Sequence, residues 1–392
     1  MEILFVSHKH PPTTGGMEKQ SFELVNGMKQ LCQVRELIYK GVGTKIKFFL
    51  TLNSQIKDML TNHPQITIMH FNDALIASFY LLFCHKHVVK HAVTLHGLDV
   101  VFPSWVFRKF IIKRLNNFDL IFAVSQATAQ AAVNLGLNHA KMHVIPNGVD
   151  ENINQFKFSP NFYDDFQQKY HLDIRDKQLL VAMGRPVKRK GFSWFVEQVM
   201  PKLQHDFLIL FIGPFHWKKT KIENILRFFP SPLRNKMELF LGAPSDEPKL
   251  RLLLNQPTIR KRAKHLGRLP FDDVLNILHH AKAFIMPNIE VPGDMEGFGL
   301  VCLEASLCGT LVYASDVGGI PDAVKNESNG YLITSQNANE WAEKLNNLMQ
   351  MQNSDIKDIT INFSEYTIQH YSWKKMVKRY YDKLNSLVTK HS

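Results

Sequence analysis

The chain has 392 residues, too many for one ordinary core, so two domains are expected. A hydrophobic fraction of 45% and a charged fraction of 21% suit a folded soluble protein and exclude a disordered or low-complexity chain. The formal net charge of +12 suggests an anionic partner, without choosing among nucleic acid, an acidic lipid surface and a phosphorylated substrate.

In chain order, MEILFVS (1–7) reads as a strand and GMEKQSFELVNGMKQ (16–30) as a helix. QITIMH (65–70), HAVTLHG (91–97), DLIFAVS (119–125) and MHVIPNG (142–148) read as further buried strands. The polar, aromatic-studded stretch 150–176 breaks this rhythm and reads as a linker. Strands resume with KQLLVAMGR (177–185), FLILFIGP (207–214), AFIMPN (283–288) and GTLVYAS (309–315). The alternation predicts two doubly wound α/β domains, 1–155 and 177–365, each a parallel sheet covered by helices, with ligands in a cleft at the strand carboxyl ends. The tail, 366–392, carries a basic amphipathic helix (371–388) that either packs back on the first domain or caps the second.

The N-terminus lacks a basic n-region, and the longest apolar run, 74–84, is too short to span a bilayer. Four scattered cysteines without a CxxC spacing predict buried thiols in a reducing compartment, with no disulfide or zinc site. A cytoplasmic protein is expected, with the inner face of a membrane as a candidate surface. FPSWVFRKFIIKRL (102–115) mixes basic and large apolar residues as a helix on an anionic membrane does, and an ordinary packing helix reads the same way.

MEGFGLVCLEA (295–305) places Glu296 and Glu304 at the two ends of an apolar stretch. Leu300, Leu303 and Leu307 share a helical face, and Gly309 stands where a C-terminal cap belongs, so a helix is predicted from about Phe298 or Gly299. At the start of such a helix the N–H groups of Phe298, Gly299 and Leu300 suit a phosphate. Glu304 suits the vicinal hydroxyls of a ribose, and Glu296 a sugar-like polyol. Glycines 15 and 16 lie between a strand and a helix, where amides can also face a phosphate.

The 295–305 stretch resembles the E-x7-E motif of family 4 glycosyltransferases, including its GFG centre. Five further segments resemble the family in order: PPTTGGMEKQ (11–20), HGLD (96–99), PNGVD (146–150), GRPVKRKGF (184–192) and SDVGGIPDAV (315–324). The resemblance implies a GT-B fold, two Rossmann-like domains facing across a cleft, and retaining transfer from a nucleotide diphosphate sugar to a glycan or glycolipid acceptor such as lipopolysaccharide or capsule. It implies donor binding by Gly15, Gly16, Arg185, Lys190, Phe298, Gly299, Leu300 and Glu304, catalytic roles for His96 and Glu296, and a base site at HLGRL (265–269). Arg185 and Lys190 would neutralise the leaving diphosphate, with Lys188 and Arg189 expected in solvent. Asp99 would orient His96 or cap the next helix. No D-x-D triplet occurs, so neither a metal nor another cofactor is expected.

Two other function classes fit more loosely. One is a non-catalytic nucleotide-sugar-binding module. The other is a basic nucleic-acid-binding protein, which the spread of the basic residues and the lack of a recognition motif disfavour. A long basic segment, 216–264, exceeds the family's usual length. It reads as a surface excursion or as a contact for lipid or acceptor.

Overall fold

The computed structural model describes residues 1–12, 15–82, 89–101, 112–215 and 245–389. Most of the basic stretch 102–115, the first part of the long basic segment (216–244) and Cys84 lie outside the described residues. The chain divides into two compact units, Met1–Val149 with Tyr371–Ser392, and Asp150–His370.

The first unit is a parallel sheet of β1 (Glu2–Ser7), β2 (Gln33–Ile38), β3 (Ile68–Phe71), β4 (Lys90–Leu95), β5 (Leu120–Ala123) and β6 (Met142–Val144), in the order β2-β1-β3-β4-β5-β6. β1 and β3 are buried along their whole length, as expected of apolar runs covered by helices on both faces. β2 is an edge strand of mixed character, QVRELI. Sequence periodicity passed over it for that reason.

The second unit repeats the plan with β7 (Gln178–Met183), β8 (Phe207–Ile212), β9 (Ala263–Gly267), β10 (Ala283–Met286), β11 (Leu311–Asp316) and β12 (Tyr331–Thr334), in the order β12-β11-β10-β7-β8-β9. In each sheet the order reverses beside the first strand. The switch points are therefore the carboxyl ends of β1 and β3, and of β7 and β10, where open α/β sheets bind ligands.

The 150–176 stretch is not a bare connector. It carries a helix, Phe162–Tyr170, whose Phe162 and Phe166 are buried. Phe158 stacks on His279 with centroids 3.7 Å apart, and Phe162 on His280 at 4.0 Å. The aromatic residues that made the stretch look irregular are those that fasten it to the second unit.

The C-terminal helix, Trp373–Thr389, belongs to the first unit and packs on the Gly16–Met28 helix. Its Tyr380 is fully buried, 4.5 Å from the Phe122 ring, with its hydroxyl 3.2 Å from Thr94 Oγ1. The chain enters this helix beside PNGVD. Val149 N–H donates to Tyr371 C=O at 3.0 Å, and any Cβ on Gly148 would overlap the backbone at Ser372 and Trp373. Gly148 is thus required by the close crossing of two backbone segments.

Cys302 and Cys308 are buried thiols, and burial pushes both well above the ordinary cysteine range. Cys32 is only half-buried, contrary to expectation.

Candidate functional site

The second unit's switch point holds a cluster of paired charges. After β7 the chain passes Gly184 and Arg185 into a short turn, Lys188–Lys190, closed by Gly191 at φ 63°. A side chain at Gly191 would overlap the Pro287 carbonyl oxygen beyond β10, so only glycine permits this approach. The turn sends Lys190 back across Gly184, where an added Cβ would lie 3.2 Å from Lys190 Cε.

Lys190 is 7% exposed, and its Nζ lies 2.9 Å from Glu296 Oε2. Arg189 Nε approaches the same oxygen at 3.4 Å, and Asn288 Nδ2 donates to it at 3.3 Å. Arg189 Nη1 also lies 3.0 Å from both carboxylate oxygens of Asp294. Burial alone would raise the Glu296 carboxyl, but Lys190 and Arg189 outweigh it and bring its pKa down to about 2. Arg189, expected in solvent, is thus part of the cluster, with 16% of its side chain exposed. Nothing in a single basic run separates a paired arginine from a solvated one. The GDME spacing of Asp294 and Glu296 was the available signal.

Glu296 is held from its backbone as well. Its carbonyl accepts the Gly319 N–H at 2.8 Å, which seats the second glycine loop, 315–324, against the first carboxylate of the E-x7-E stretch. The helix beyond begins at Leu300, with Gly299 as N-cap at φ 102° and the buried Phe298 before it. Glu304 lies in its second turn, also buried. Arg185 is exposed at the carboxyl end of β7. In β9, His265 stacks on Phe215 with centroids 4.0 Å apart, and burial lowers its pKa to about 4.

Gly15, Gly16 and His96 belong to the first unit. Gly15 is the N-cap of the Gly16–Met28 helix, and the carboxylate of Glu18, paired with Lys9 at 3.4 Å, lies against it. His96 follows β4 and places Nε2 2.7 Å from the Asn72 carbonyl, which fixes a proton on Nε2 and leaves Nδ1 as an acceptor in the neutral ring. Asp99 accepts from His96 N–H at 2.9 Å and from Ala74 N–H at 3.2 Å. It therefore ties the end of β4 to the start of the preceding helix, Ala74–Leu82, not to the next one. Burial pushes its carboxyl up. Sequence reading missed His8, whose Nδ1 lies 3.0 Å from Asp73 Oδ2 at the carboxyl ends of β1 and β3.

Comparison with known proteins decides the family. Residues 165–365 match the model described as glycosyl transferases group 1, and residues 14–153 match glycosyltransferase family 4. The chain is a family 4 glycosyltransferase. Among curated relatives, this glycosyltransferase is 23% identical to alpha-maltose-1-phosphate synthase of Mycolicibacterium smegmatis over 97% of both chains. It is 33% identical to D-inositol 3-phosphate glycosyltransferase of Corynebacterium urealyticum over 45% of this chain and 41% of the relative. It is 23% identical to the phosphatidylinositol N-acetylglucosaminyltransferase GPI3 subunit of Saccharomyces cerevisiae over 82% of this chain and 63% of the relative. A glycosyltransferase from Rickettsia africae has the same fold, with TM-score 0.74 and 17% identity over 99% of this chain and 98% of that one. Anabaena HepE, solved with UDP and glucose, superposes with TM-score 0.70 and 18% identity over 98% of this chain and all of the other. The transferase thus has the two-domain GT-B fold expected from its sequence.

Proposed function

We propose that the transferase moves a sugar from a nucleotide diphosphate sugar to a hydroxyl of a glycan or glycolipid, with retention of configuration and without a metal ion. The observation that carries this reading is the Lys190–Glu296 pair at the second unit's switch point, beside the helix that starts at Leu300. An ammonium has three N–H groups. One faces Glu296, and two are left for the donor's diphosphate. Arg185 and the amides of Phe298–Leu300 add positive potential where negative charge develops on the leaving group. Glu296 takes sugar hydroxyls, Glu304 the ribose, and the stacked His265 flanks the base. Support for the donor class comes from HepE, which has been solved with UDP-glucose.

Bond by bond, the anomeric C–O bond breaks and its electron pair goes to the diphosphate oxygen. The acceptor oxygen attacks the same face of the sugar, and its proton passes to the leaving phosphate. In the first unit, His96 Nδ1 and the amides of Gly15 and Gly16 are the groups this reading assigns to ligand, and that unit takes the acceptor. The relatives above are named for sugar-phosphate, inositol-phosphate and phosphatidylinositol chemistry, which favours a phosphorylated polyol or glycolipid acceptor over lipopolysaccharide core or capsule. Among the described residues no helix is long and apolar enough to cross a membrane.

A radiolabelled-sugar transfer assay with a panel of acceptors tests the reading. Label should pass to a hydroxyl acceptor with the donor's anomeric configuration kept. Tight donor binding without transfer would favour the non-catalytic module instead.

A further inference from the structure

Three donors from three positions in the chain, Lys190, Arg189 and Asn288, converge on one oxygen of Glu296, Oε2. Among the described residues none bonds Oε1. A carboxylate held by one oxygen presents the other in a fixed direction, and the lone pairs of Oε1 remain for ligand hydroxyls. Of the three donors, Lys190 is also required by the diphosphate, so it cannot by itself keep the carboxylate in place as the donor arrives.

Arg189 has a separate anchor. Its Nη1 bridges both oxygens of Asp294, whose side chain is 2% exposed, while its Nε points to Glu296. Its backbone carbonyl accepts from Ile289 N–H at 2.9 Å, next to Asn288. The guanidinium is a rigid planar fork, so fixing one arm on Asp294 aims the other. Its chain neighbour Lys188 is exposed and plays no part in this network.

We propose that Arg189, anchored by Asp294, is a positioning residue that holds Glu296 Oε2 while Lys190 is shared with the diphosphate, so that Oε1 stays aimed at the transferred sugar. The assignment rests on the reading of Glu296 as the sugar-binding carboxylate. It makes Arg189 matter to turnover while leaving the nucleotide portion of the donor untouched, because Arg189 contacts carboxylates and not the diphosphate cradle.

The experiment uses the full chain with UDP-glucose as donor probe and UDP as nucleotide probe. Arg189→Gln should lower kcat by about 10- to 100-fold while the Kd for UDP changes by less than about threefold. Arg189→Lys, which restores charge without the fork, should recover part of the loss. Asp294→Asn should give a smaller loss of the same kind. In a Glu296→Gln background, Arg189→Gln should add less than about a twofold effect, because a residue acting through another has nothing further to lose once that other is gone. Unchanged kcat in Arg189→Gln overturns the proposal. So does an effect that multiplies independently of Glu296→Gln, or a loss of UDP affinity and thermal stability in proportion to activity. Full activity of Glu296→Gln alone overturns the underlying reading of the site and the proposal with it.

Discussion

Lys190 Nζ and Glu296 Oε2 stand 2.9 Å apart, joining the turn after β7 to the loop before the Leu300–Leu307 helix. The pair is more than a surface ion bridge. Lys190 is almost wholly buried, 17% of the Glu296 side chain is exposed, and Arg189, Asn288 and Asp294 complete the network. Removing one partner from such a pair leaves an uncompensated charge.

Replacing the carboxylate without changing its shape tests its chemical role. Glu296→Gln should lower kcat by about 100-fold or more, as expected for loss of an interaction made to the reacting sugar. Circular dichroism should show the fold intact. Wild-type turnover in this variant would remove Glu296 from the mechanism.

The same carboxylate gives a pH signature. Its folded-state pKa of about 2 lies below the ordinary glutamate value, so ionised Glu296 stabilises the fold. That contribution is complete above the ordinary value and is lost as pH falls toward 2. The depression corresponds to roughly 3 kcal/mol at neutral pH, from about 1.4 kcal/mol per unit. Urea unfolding of wild type and Glu296→Gln should therefore differ most at pH 7 and converge as pH drops from about 4.5 toward 2. A gap independent of pH would contradict the ion-pair assignment.

Gly191→Ala tests the turn that delivers Lys190. Its positive φ and the overlap with the Pro287 carbonyl predict a loss of about 2 kcal/mol or more, with donor affinity falling in parallel. Thermal melts and donor titration on one preparation read both. A neutral substitution would mean that the approach to Pro287 is not tight.

Tyr380→Ala tests the return of the C-terminal helix. The ring fills the first unit's interior against Phe122, so its removal should cost about 3 kcal/mol. Urea titration should show the lowered midpoint, and an unchanged midpoint would contradict the packing.

Excess EDTA should leave the transfer rate unchanged, because Lys190, Arg185 and helix amides supply the positive charge at the leaving group. Abolition of transfer, with recovery on adding Mg²⁺ or Mn²⁺, would replace this account with a metal-assisted one.

The parts of the fold that sequence disclosed are those buried on both sides. β1, β3, β8 and β10 are mostly apolar and buried along their whole length, as strands covered on both faces are. The strands that escaped notice, β2, β9 and β12, are all at sheet edges, where most positions are only partly buried and polar residues are tolerated. At the site, Lys190, Glu296 and Glu304 were singled out through the resemblance of their segments to family motifs, and the structure pairs Lys190 with Glu296. Arg189 and Asp294 were not, since their partnership depends on a fold that brings residue 189 to residue 294. His8 and Asp73 were hidden for the same reason: β1 and β3 are neighbours in the sheet but distant in the chain.

The central claim is that Lys190 and Glu296 form the donor's diphosphate-sugar site. Calorimetric titration of the full chain and of Lys190→Ala with UDP, UDP-glucose, GDP-mannose and ADP-glucose tests it most directly. The account predicts that the unaltered protein binds one nucleotide class and that Lys190→Ala weakens that binding by about tenfold or more, the worth of one charged hydrogen bond. Equal affinity in the two proteins, or no binding of any of the four by the unaltered protein, would contradict it.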